Sequence, residues 1–201
     1  MRSYGNQAAR QIGQPLFFCN IRPVKAHRKL MAIVSIHGDN PLKDGRQSQR
    51  ALAVRRGMQR LLHDMRHATL PELGLSSGRR ADIVTLSEKG EIWIIEIKSS
   101  IEDFRVDRKW PEYRLYCDRL FFATLPDVPM EIFPEDCGLF LSDNYGAEMI
   151  REAPEHRLAP ATRKAMTLSF SRIAAARLMH AEWAADRLGI ANPNSGEEDL
   201  L

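Results

Sequence analysis

The sequence lacks long hydrophobic runs. No uninterrupted apolar segment approaches the ~18 residues that a membrane-spanning helix needs. The apolar stretch from Leu16 to Ile21 is too short for the hydrophobic region of a signal peptide, and Asn20 interrupts it. Apolar residues make up 44% and charged residues 27% of the chain, as in ordinary soluble proteins. These features exclude membrane-spanning, collagen-like and wholly disordered classes, and we expect a cytoplasmic protein with no membrane partner.

Cysteine is also scarce, with three residues at positions 19, 117 and 137. An odd number at wide spacing matches neither a disulfide framework nor a metal-binding motif. We therefore expect reduced thiols, as in a cytosolic protein. The histidines at positions 63, 67, 156 and 180 do not have the spacing of zinc ligands, which argues against a zinc site.

Acidic residues are absent from the first thirty positions, which hold six basic residues. The remaining positions hold 23 basic and 26 acidic residues, so the net charge of +3 originates in that first segment. Residues 46–66 contain six arginines and one acid, and residues 157–177 contain five basic residues and no acid. Two basic flanks around an acidic middle suit a cation site beside a polyanion groove. Two solvated helix faces are the alternative.

One domain is expected for 201 residues. Residues 1–43 contain several Gly and Pro and show no sustained period, which predicts a disordered leader. Met31 is an alternative start, in which case the first thirty residues are not translated. The domain then spans residues 44–190, and the polar residues 191–201 form a flexible tail.

Hydrophobic periodicity predicts a mixed α/β domain. A stripe at 3.6-residue spacing predicts a helix over 47–66, and β-rich segments predict strands over 68–75, 81–87, 91–98 and 120–125. A capping box at Ser99–Glu102 opens a further helix, and Pro111 begins a second segment that ends near Asp118. A second hairpin over 137–142 and 147–152 and a long helix over 161–188 follow. The predicted order is α-β-β-β-α-β, then β-β-α.

The first predicted hairpin brings charged residues together. If the loop is Glu88-Lys89-Gly90, Ser87 pairs with Glu91, and Asp82 then lies opposite Glu96. Directly opposed residues have Cβ atoms ~4.5–5.5 Å apart on one face of a sheet. Lys98 shares that face because it lies two residues after Glu96. The sequence therefore predicts two carboxylates and one ammonium at the end of an apolar hairpin.

Two opposed carboxylates in apolar surroundings repel each other, and a divalent cation removes the conflict. Oxygen ligands favour Mg²⁺ or Mn²⁺, and such an ion can activate water against a phosphodiester. Lys98 would lie near the attacking water or the phosphate oxygens. An internal ion pair of Lys98 with Asp82 or Glu96 is the alternative, and the spacing alone does not distinguish the two.

These residues also carry a resemblance to a known family. The element order with Asp82 and Glu96-Ile97-Lys98 resembles the PD-(D/E)xK nuclease superfamily. Leu70–Leu73, Gly78–Asp82 and Ile95–Ser100 are similar to the MmcB-type DNA repair proteins. Residues 103–113, Cys117-Asp118 and Phe121–Ala123 strengthen that similarity, which covers about residues 44–180.

The resemblance implies a restriction-endonuclease-like core, a mixed sheet flanked by helices, with an added β-hairpin and a long C-terminal helix. It implies DNA repair with DNA, and other repair proteins, as partners. Asp82, Glu96 and Lys98 would be catalytic, and Asp82, Glu96 and the Ile97 carbonyl would bind Mg²⁺ or Mn²⁺. Many superfamily members place a glutamate on the first helix, but residues 46–67 contain none. Glu72 is the expected substitute ligand, or alternatively an exposed carboxylate on an edge strand.

Further basic and polar residues are candidates for binding DNA. We expect five of them to border one groove that leads to the site: Arg56, Arg60, Arg163, Lys164 and Arg172. Lys109 and Tyr113 could contact phosphate as donors, and Arg79 and Arg80 could grip phosphate or balance the carboxylates. Alternatively, Trp110 and Tyr113 are core residues, and Asp103 and Asp107 bind Arg105 or Arg79.

The predicted activity is metal-dependent cleavage of damaged or branched DNA by an endonuclease or exonuclease. A nuclease-fold module that binds DNA or a repair partner without cutting is the main alternative. A nuclease that processes RNA or mobile elements shares the same chemistry.

Overall fold

A computed structural model of the protein describes residues 48–187. The predicted leader and the predicted tail lie outside these residues. Along the described residues, the helices and strands occur in this order: α1 (Gln49–Asp64), β1 (Ala68–Gly74), β2 (Arg80–Leu86), β3 (Ile92–Lys98), α2 (Ile101–Val106), a 3₁₀ helix (Trp110–Leu115), β4 (Arg119–Thr124), a short 3₁₀ helix (Met130–Ile132), β5 (Gly138–Ser142), β6 (Ala147–Arg151) and α3 (Pro160–Arg187). No helix within the described residues is long and apolar enough to cross a membrane.

The six strands form one mixed sheet in the order β1-β2-β3-β4-β5-β6. Strands β3, β4 and β5 are parallel to one another, and the remaining neighbours are antiparallel. The predicted α/β architecture, with its added hairpin and long C-terminal helix, is confirmed. The crossover from β3 to β4 carries α2 and the first 3₁₀ helix, as a parallel connection requires.

Helices cover both faces of the sheet. Val54, Met58 and Leu62 of α1 pack with alternate strand residues, among them Ile95 and Phe121. Met166 and Phe170 of α3 pack with the other alternate set, including Ile94 and Phe122. Because successive strand side chains point to opposite faces, α1 and α3 lie on opposite sides of the sheet.

The β2–β3 hairpin has the predicted register. Ile83 pairs with Ile95 and Leu86 pairs with Ile92. The loop closes between Ser87 and Glu91, whose N–H···O distance is 3.0 Å, and Gly90 adopts a positive φ of 77°. A left-handed residue at this position is what a three-residue loop needs, and glycine adopts it without steric cost.

Helix α2 begins one residue later than the predicted capping box. The Ser100 side chain accepts the Asp103 N–H at 3.2 Å, so Ser100 is the N-cap. The Asp103 carboxylate accepts hydrogen bonds from both the backbone and the hydroxyl of Ser99. The helix ends at Val106, and the segment after Pro111 is a 3₁₀ helix, not a second α-helix.

Asp118 connects α3 to the sheet through hydrogen bonds. Its carboxylate accepts the backbone N–H groups of Ile92 and Leu158 at 2.8 and 3.0 Å. It also accepts both guanidinium nitrogens of Arg163, at 2.8 and 2.5 Å. A buried carboxylate with four donors is fully compensated, which favours its charged form. Burial acts to raise the pKa of Asp118, but these hydrogen bonds leave its net pKa below the usual range.

Candidate active site

Backbone pairing between β2 and β3 ends before Asp82. From there the two strands are joined by hydrogen bonds from backbone N–H groups to side-chain carboxylates. Regular pairing ends at Ile83 and Ile95. One residue further, the Asp82 N–H donates to Glu96 Oε1 at 3.3 Å, and the Ile97 N–H donates to Asp82 Oδ2 at 2.8 Å. The structure thus places Asp82 and Glu96 side by side at the carboxyl end of β3. The Asp82 carboxylate accepts a hydrogen bond from the Ile97 backbone N–H.

Lys98 lies beside this carboxylate pair, as the strand period predicts. Its Nζ is 3.7 Å from Glu96 Oε2 and 2.6 Å from Asp107 Oδ2. The Lys98 side chain is buried, and its backbone carbonyl accepts the Thr124 hydroxyl at 2.7 Å. The ammonium is therefore held between two acids, one on its own strand and one just beyond the end of α2.

Asp107 does not take the partners considered for it from the sequence. Because α2 ends at Val106, Asp103 and Asp107 are not on one helical face. Asp103 binds Ser99, whereas Asp107 binds Lys98. Arg79, the other partner considered, donates two hydrogen bonds to Glu112.

Burial and mutual repulsion govern the charge of the carboxylate pair. Burial raises the pKa of Glu96 well above its usual range, and the negative charge of Asp82 raises it further. Burial also raises the pKa of Asp82, against the opposing effects of the Ile97 N–H and Lys98. Burial alone would lower the pKa of Lys98, but Glu96 and Asp107 leave it above the ordinary value. The ammonium is charged, while the Asp82 and Glu96 carboxyls resist ionisation.

Glu72 is not an exposed carboxylate on an edge strand. Its side chain is 1% exposed and forms an ion pair with Arg80. Pairing between β1 and β2 skips Glu72, which has a φ of 56°, a left-handed conformation uncommon for a residue other than glycine. Arg177 of α3 donates to the backbone carbonyls of Pro71 and Glu72.

Arg55 is a buried cation that sequence reasoning missed. Burial lowers its pKa, and the charges of Glu72 and Asp82 act in the opposite direction. Its position carried a signal, because it lies four residues after Ala51 and three before Met58, within the apolar stripe of α1. Within the part of the chain that the structure describes, Arg55 and Glu72 thus extend the charged cluster from Asp82 toward α1.

The aromatic residues after α2 support the site from the core side. Tyr113 is buried, and its hydroxyl donates to the Arg80 carbonyl at 3.1 Å. Burial raises its pKa, so the phenol stays neutral. Trp110 packs edge-on against Phe122 with ring centroids 5.5 Å apart. Both side chains are therefore part of the packing, whereas Lys109 is exposed.

The five basic residues predicted to border one groove lie on two helices that cover opposite faces of the sheet. Arg56 and Arg60 lie on α1 and donate to Asn144, and Arg60 also donates to the Tyr145 carbonyl. Arg163 binds Asp118 and the Gly90 carbonyl at the opposite end of β3 from Lys98. Lys164 and Arg172 are exposed on α3, which covers the other face of the sheet from α1. Sequence periodicity indicated two basic helices but not which faces they cover.

A family model for MmcB-like DNA repair proteins matches residues 38–185, which is more than half of the chain. The chain belongs to the MmcB-like family. Among solved structures, this MmcB-like chain is similar to the SPO1766 protein of unknown function from Silicibacter pomeroyi, at 38% identity. The similarity covers 74% of this chain and 99% of that chain, with a TM-score of 0.65. No curated protein matches this sequence.

Membership of the MmcB-like family indicates a role in DNA repair. The matched segment contains every candidate residue of the site, including Asp107 and Arg55. The fold of this MmcB-like chain brings Asp82, Glu96, Lys98 and Asp107 together across the ends of β2, β3 and α2. Such an arrangement can hold a cation, or can be neutralised internally by Lys98.

Proposed function

We propose that this MmcB-like protein acts in DNA repair by metal-dependent hydrolysis of phosphodiester bonds in damaged or branched DNA. The observation that carries the proposal is the pairing of the half-buried Asp82 with the buried Glu96, with Lys98 at the same end of β3. Both carboxyls have raised pKa values, so a compensating cation would favour their charged forms. Metal ions are commonly bound where carboxylates would otherwise repel each other.

The donor set fits Mg²⁺ or Mn²⁺. Asp82 and Glu96 would hold the ion through carboxylate oxygens, with the Ile97 carbonyl as a further oxygen donor. Glu72 is a weaker candidate as a ligand, since its carboxylate is paired with Arg80. When bound, the ion would lower the pKa of a water molecule and stabilise negative charge on a phosphate oxygen.

The remaining polar groups of the site suit a phosphate. Lys98 is a charged donor at the end of β3, and it can donate to a phosphate oxygen whose charge grows in the transition state. Its backbone is fixed by Thr124, and the carbonyl of the next residue, Ser99, is fixed by the Arg50 side chain at 3.1 Å. A donor on a fixed backbone loses little entropy when it engages substrate.

The segment from Arg105 to Lys109 is the best candidate for holding the DNA backbone. Arg105, Arg108 and Lys109 are exposed, and none of the ion pairs within residues 48–187 uses them. They flank Asp107, which contacts Lys98. Exposed cations next to the site can neutralise phosphates, which supplies affinity without reading base sequence.

A second function has a specific observation in its favour: binding of DNA or a repair partner without cleavage. Among the residues that the structure describes, no group of three or more His, Cys, Asp or Glu side chains is arranged to hold a metal ion. The four acids Glu72, Asp82, Glu96 and Asp107 are matched by four cations, namely Arg55, Arg80, Arg177 and Lys98. A cluster balanced in this way can be stable without a metal.

Cleavage of end-labelled nicked, gapped and flapped DNA in Mg²⁺, Mn²⁺ or EDTA tests the proposal. We expect products with a divalent ion, none in EDTA, and none from Lys98→Ala with either ion. Lys89→Ala, which removes an exposed loop ammonium, is the matched control and should cut like the wild type. Metal-independent DNA binding with no product from any substrate would instead favour the binding module.

A further inference from the structure

The Lys98 ammonium is shared unequally by two acids. Its Nζ forms a hydrogen bond with Asp107 Oδ2 at 2.6 Å, whereas the distance to Glu96 Oε2 is 3.7 Å. An N⁺–H···O⁻ hydrogen bond has a length of about 2.7–2.9 Å, so only the contact with Asp107 is a direct one. Glu96 therefore interacts electrostatically with the Lys98 ammonium but does not form a direct hydrogen bond with it.

The Asp107 carboxylate is itself held in place. Its other oxygen, Oδ1, accepts the backbone N–H of Lys109 at 2.9 Å. One oxygen is thus fixed to the chain that follows α2, and the other is aimed at Lys98. The Asp107 side chain is 21% exposed, compared with 4% for that of Glu96, so Asp107 draws the ammonium toward the more exposed side of the cluster.

Without Asp107, Lys98 would have a nearby alternative on its own strand. Glu96 lies two residues earlier on the same face, and its Oε2 is already within 4 Å of the ammonium. A direct Lys98–Glu96 pair would occupy the carboxylate with an internal cation. A divalent ion would then have to displace that ammonium before it could bind.

We propose that Asp107 is a positioning residue that holds the Lys98 ammonium away from Glu96 and thereby keeps the Asp82–Glu96 pair open to a divalent cation. This inference rests on the proposed function, because it requires that the pair binds a metal. Asp107 lies outside the β2–β3 hairpin, and its proposed role in the site acts only through Lys98.

Calorimetric titration of the full-length protein with Mn²⁺, at one pH and without DNA, tests this role. Asp107→Asn should weaken Mn²⁺ binding by roughly 10-fold to 100-fold, the usual effect of removing a group that orients a metal site. Lys98→Met should bind Mn²⁺ at least as tightly as the wild type. Asp107→Asn combined with Lys98→Met should bind as Lys98→Met does, because the ammonium that Asp107 restrains is gone.

Two further variants control for charge and folding. Asp103→Asn removes an equal charge from α2, but Asp103 binds Ser99 and not Lys98, so Mn²⁺ affinity should stay close to that of the wild type. Asp107→Glu keeps a carboxylate that can still reach Lys98 and should restore most of the affinity. Thermal melts in EDTA establish that each variant is folded. If the Asp107→Asn variant does not fold, Asp107→Ala takes its place in the comparison.

The possible results distinguish a failure of the positioning role of Asp107 from a failure of the proposed metal site. An equal decrease in affinity from Asp107→Asn with and without Lys98 would mean that Asp107 acts on the ion directly, which overturns the positioning role. Unchanged affinity in Asp107→Asn overturns it as well. No Mn²⁺ binding by the wild type would refute the proposed metal site, and the positioning role with it.

Discussion

Asp82 and Glu96 meet at a point where neither carboxyl is easily ionised. Burial raises the pKa of each carboxyl, and the charge of Asp82 raises that of Glu96 further. In the metal-free protein, this conflict is relieved by a proton or by the nearby charge of Lys98. A proton bound in the folded state but not in the unfolded state makes stability depend on pH.

The first prediction concerns that dependence. Because the folded pKa of Glu96 is raised, its contribution to stability is fully present below its unfolded pKa of about 4.3. The contribution is lost as the pH rises through the folded pKa. In EDTA, Glu96→Gln should therefore gain stability relative to the wild type as the pH increases from about 4.3. Urea denaturation of both proteins across this range measures the difference, and a constant difference would contradict the assigned pKa shift.

The second prediction concerns Asp82→Asn. The amide oxygen can still accept the Ile97 N–H, while the repulsion with Glu96 disappears. We expect the metal-free protein to become more stable, by about 1 kcal/mol, and to lose Mn²⁺ binding. Thermal melts in EDTA and in Mn²⁺ measure both effects, with Asp186→Asn near the end of α3 as the control. Strong destabilisation in EDTA would instead identify Asp82 as a structural partner of Lys98 or Arg80.

The sequence predicts part of this site and not the rest for physical reasons. A tight turn and the two-residue period of a strand are local, so they determine the relation of Asp82, Glu96 and Lys98. Asp107 reaches Lys98 because α2 ends at Val106 and Asp107 follows it in an extended conformation. No spacing rule encodes that contact. The environment of Glu72 likewise depends on arginines from α1, β2 and α3.

At the scale of elements, α1 packs closely against the β5–β6 turn. A Cβ at Gly57 would collide with the backbone carbonyls of Asp143 and Gly146. The Ser142 hydroxyl also donates to the Val54 carbonyl at 2.9 Å, which ties the two elements together. Glycine is needed here for the close approach of two backbones, not for its conformational freedom.

The third prediction follows from this close approach. Gly57→Ala should destabilise the protein by about 1–3 kcal/mol, since backbone cannot move aside as a flexible side chain can. Gly74→Ala is the matched control, because a Cβ at Gly74 has no atom within 4 Å. Equal midpoints in urea for Gly57→Ala and Gly74→Ala would show that α1 can shift without cost.

The basic residues of α3 show where charge patterning misleads. Arg163 lies in a run of basic residues that contains no acid, and charge alone suggests a surface for a polyanion. The structure instead pairs Arg163 with Asp118, which lies 45 residues earlier and is buried. A long-range buried partner of this kind cannot be inferred from local charge patterning.

At the scale of the whole molecule, the helices α1 and α3 cover opposite faces of the sheet, and the candidate site lies at the carboxyl end of β3. The element order and the α/β class follow from hydrophobic periodicity, because the period of each element is a local property. The placement of the exposed charge depends on which face each helix covers. The exposed basic residues of the 105–109 segment flank Asp107 and so lie next to the site, whereas those of the two long helices lie on opposite sides of the sheet.

The fourth prediction concerns DNA binding by that segment. Reversal of Arg105, Arg108 and Lys109 to Glu should weaken binding to duplex DNA and reduce the slope of log affinity against log salt by roughly 0.9 for each phosphate that is no longer neutralised. Reversal of Arg56 and Arg60 is the comparison, since these side chains face the β5–β6 turn. Fluorescence anisotropy at several salt concentrations measures both, and a larger effect from Arg56 and Arg60 would place the DNA on α1.

The most direct test of the metal site is anomalous diffraction from crystals soaked in Mn²⁺. We expect a manganese peak between the carboxylates of Asp82 and Glu96, with Lys98 still bound to Asp107. A peak elsewhere, or none while Lys98 remains between Glu96 and Asp107, would contradict this expectation.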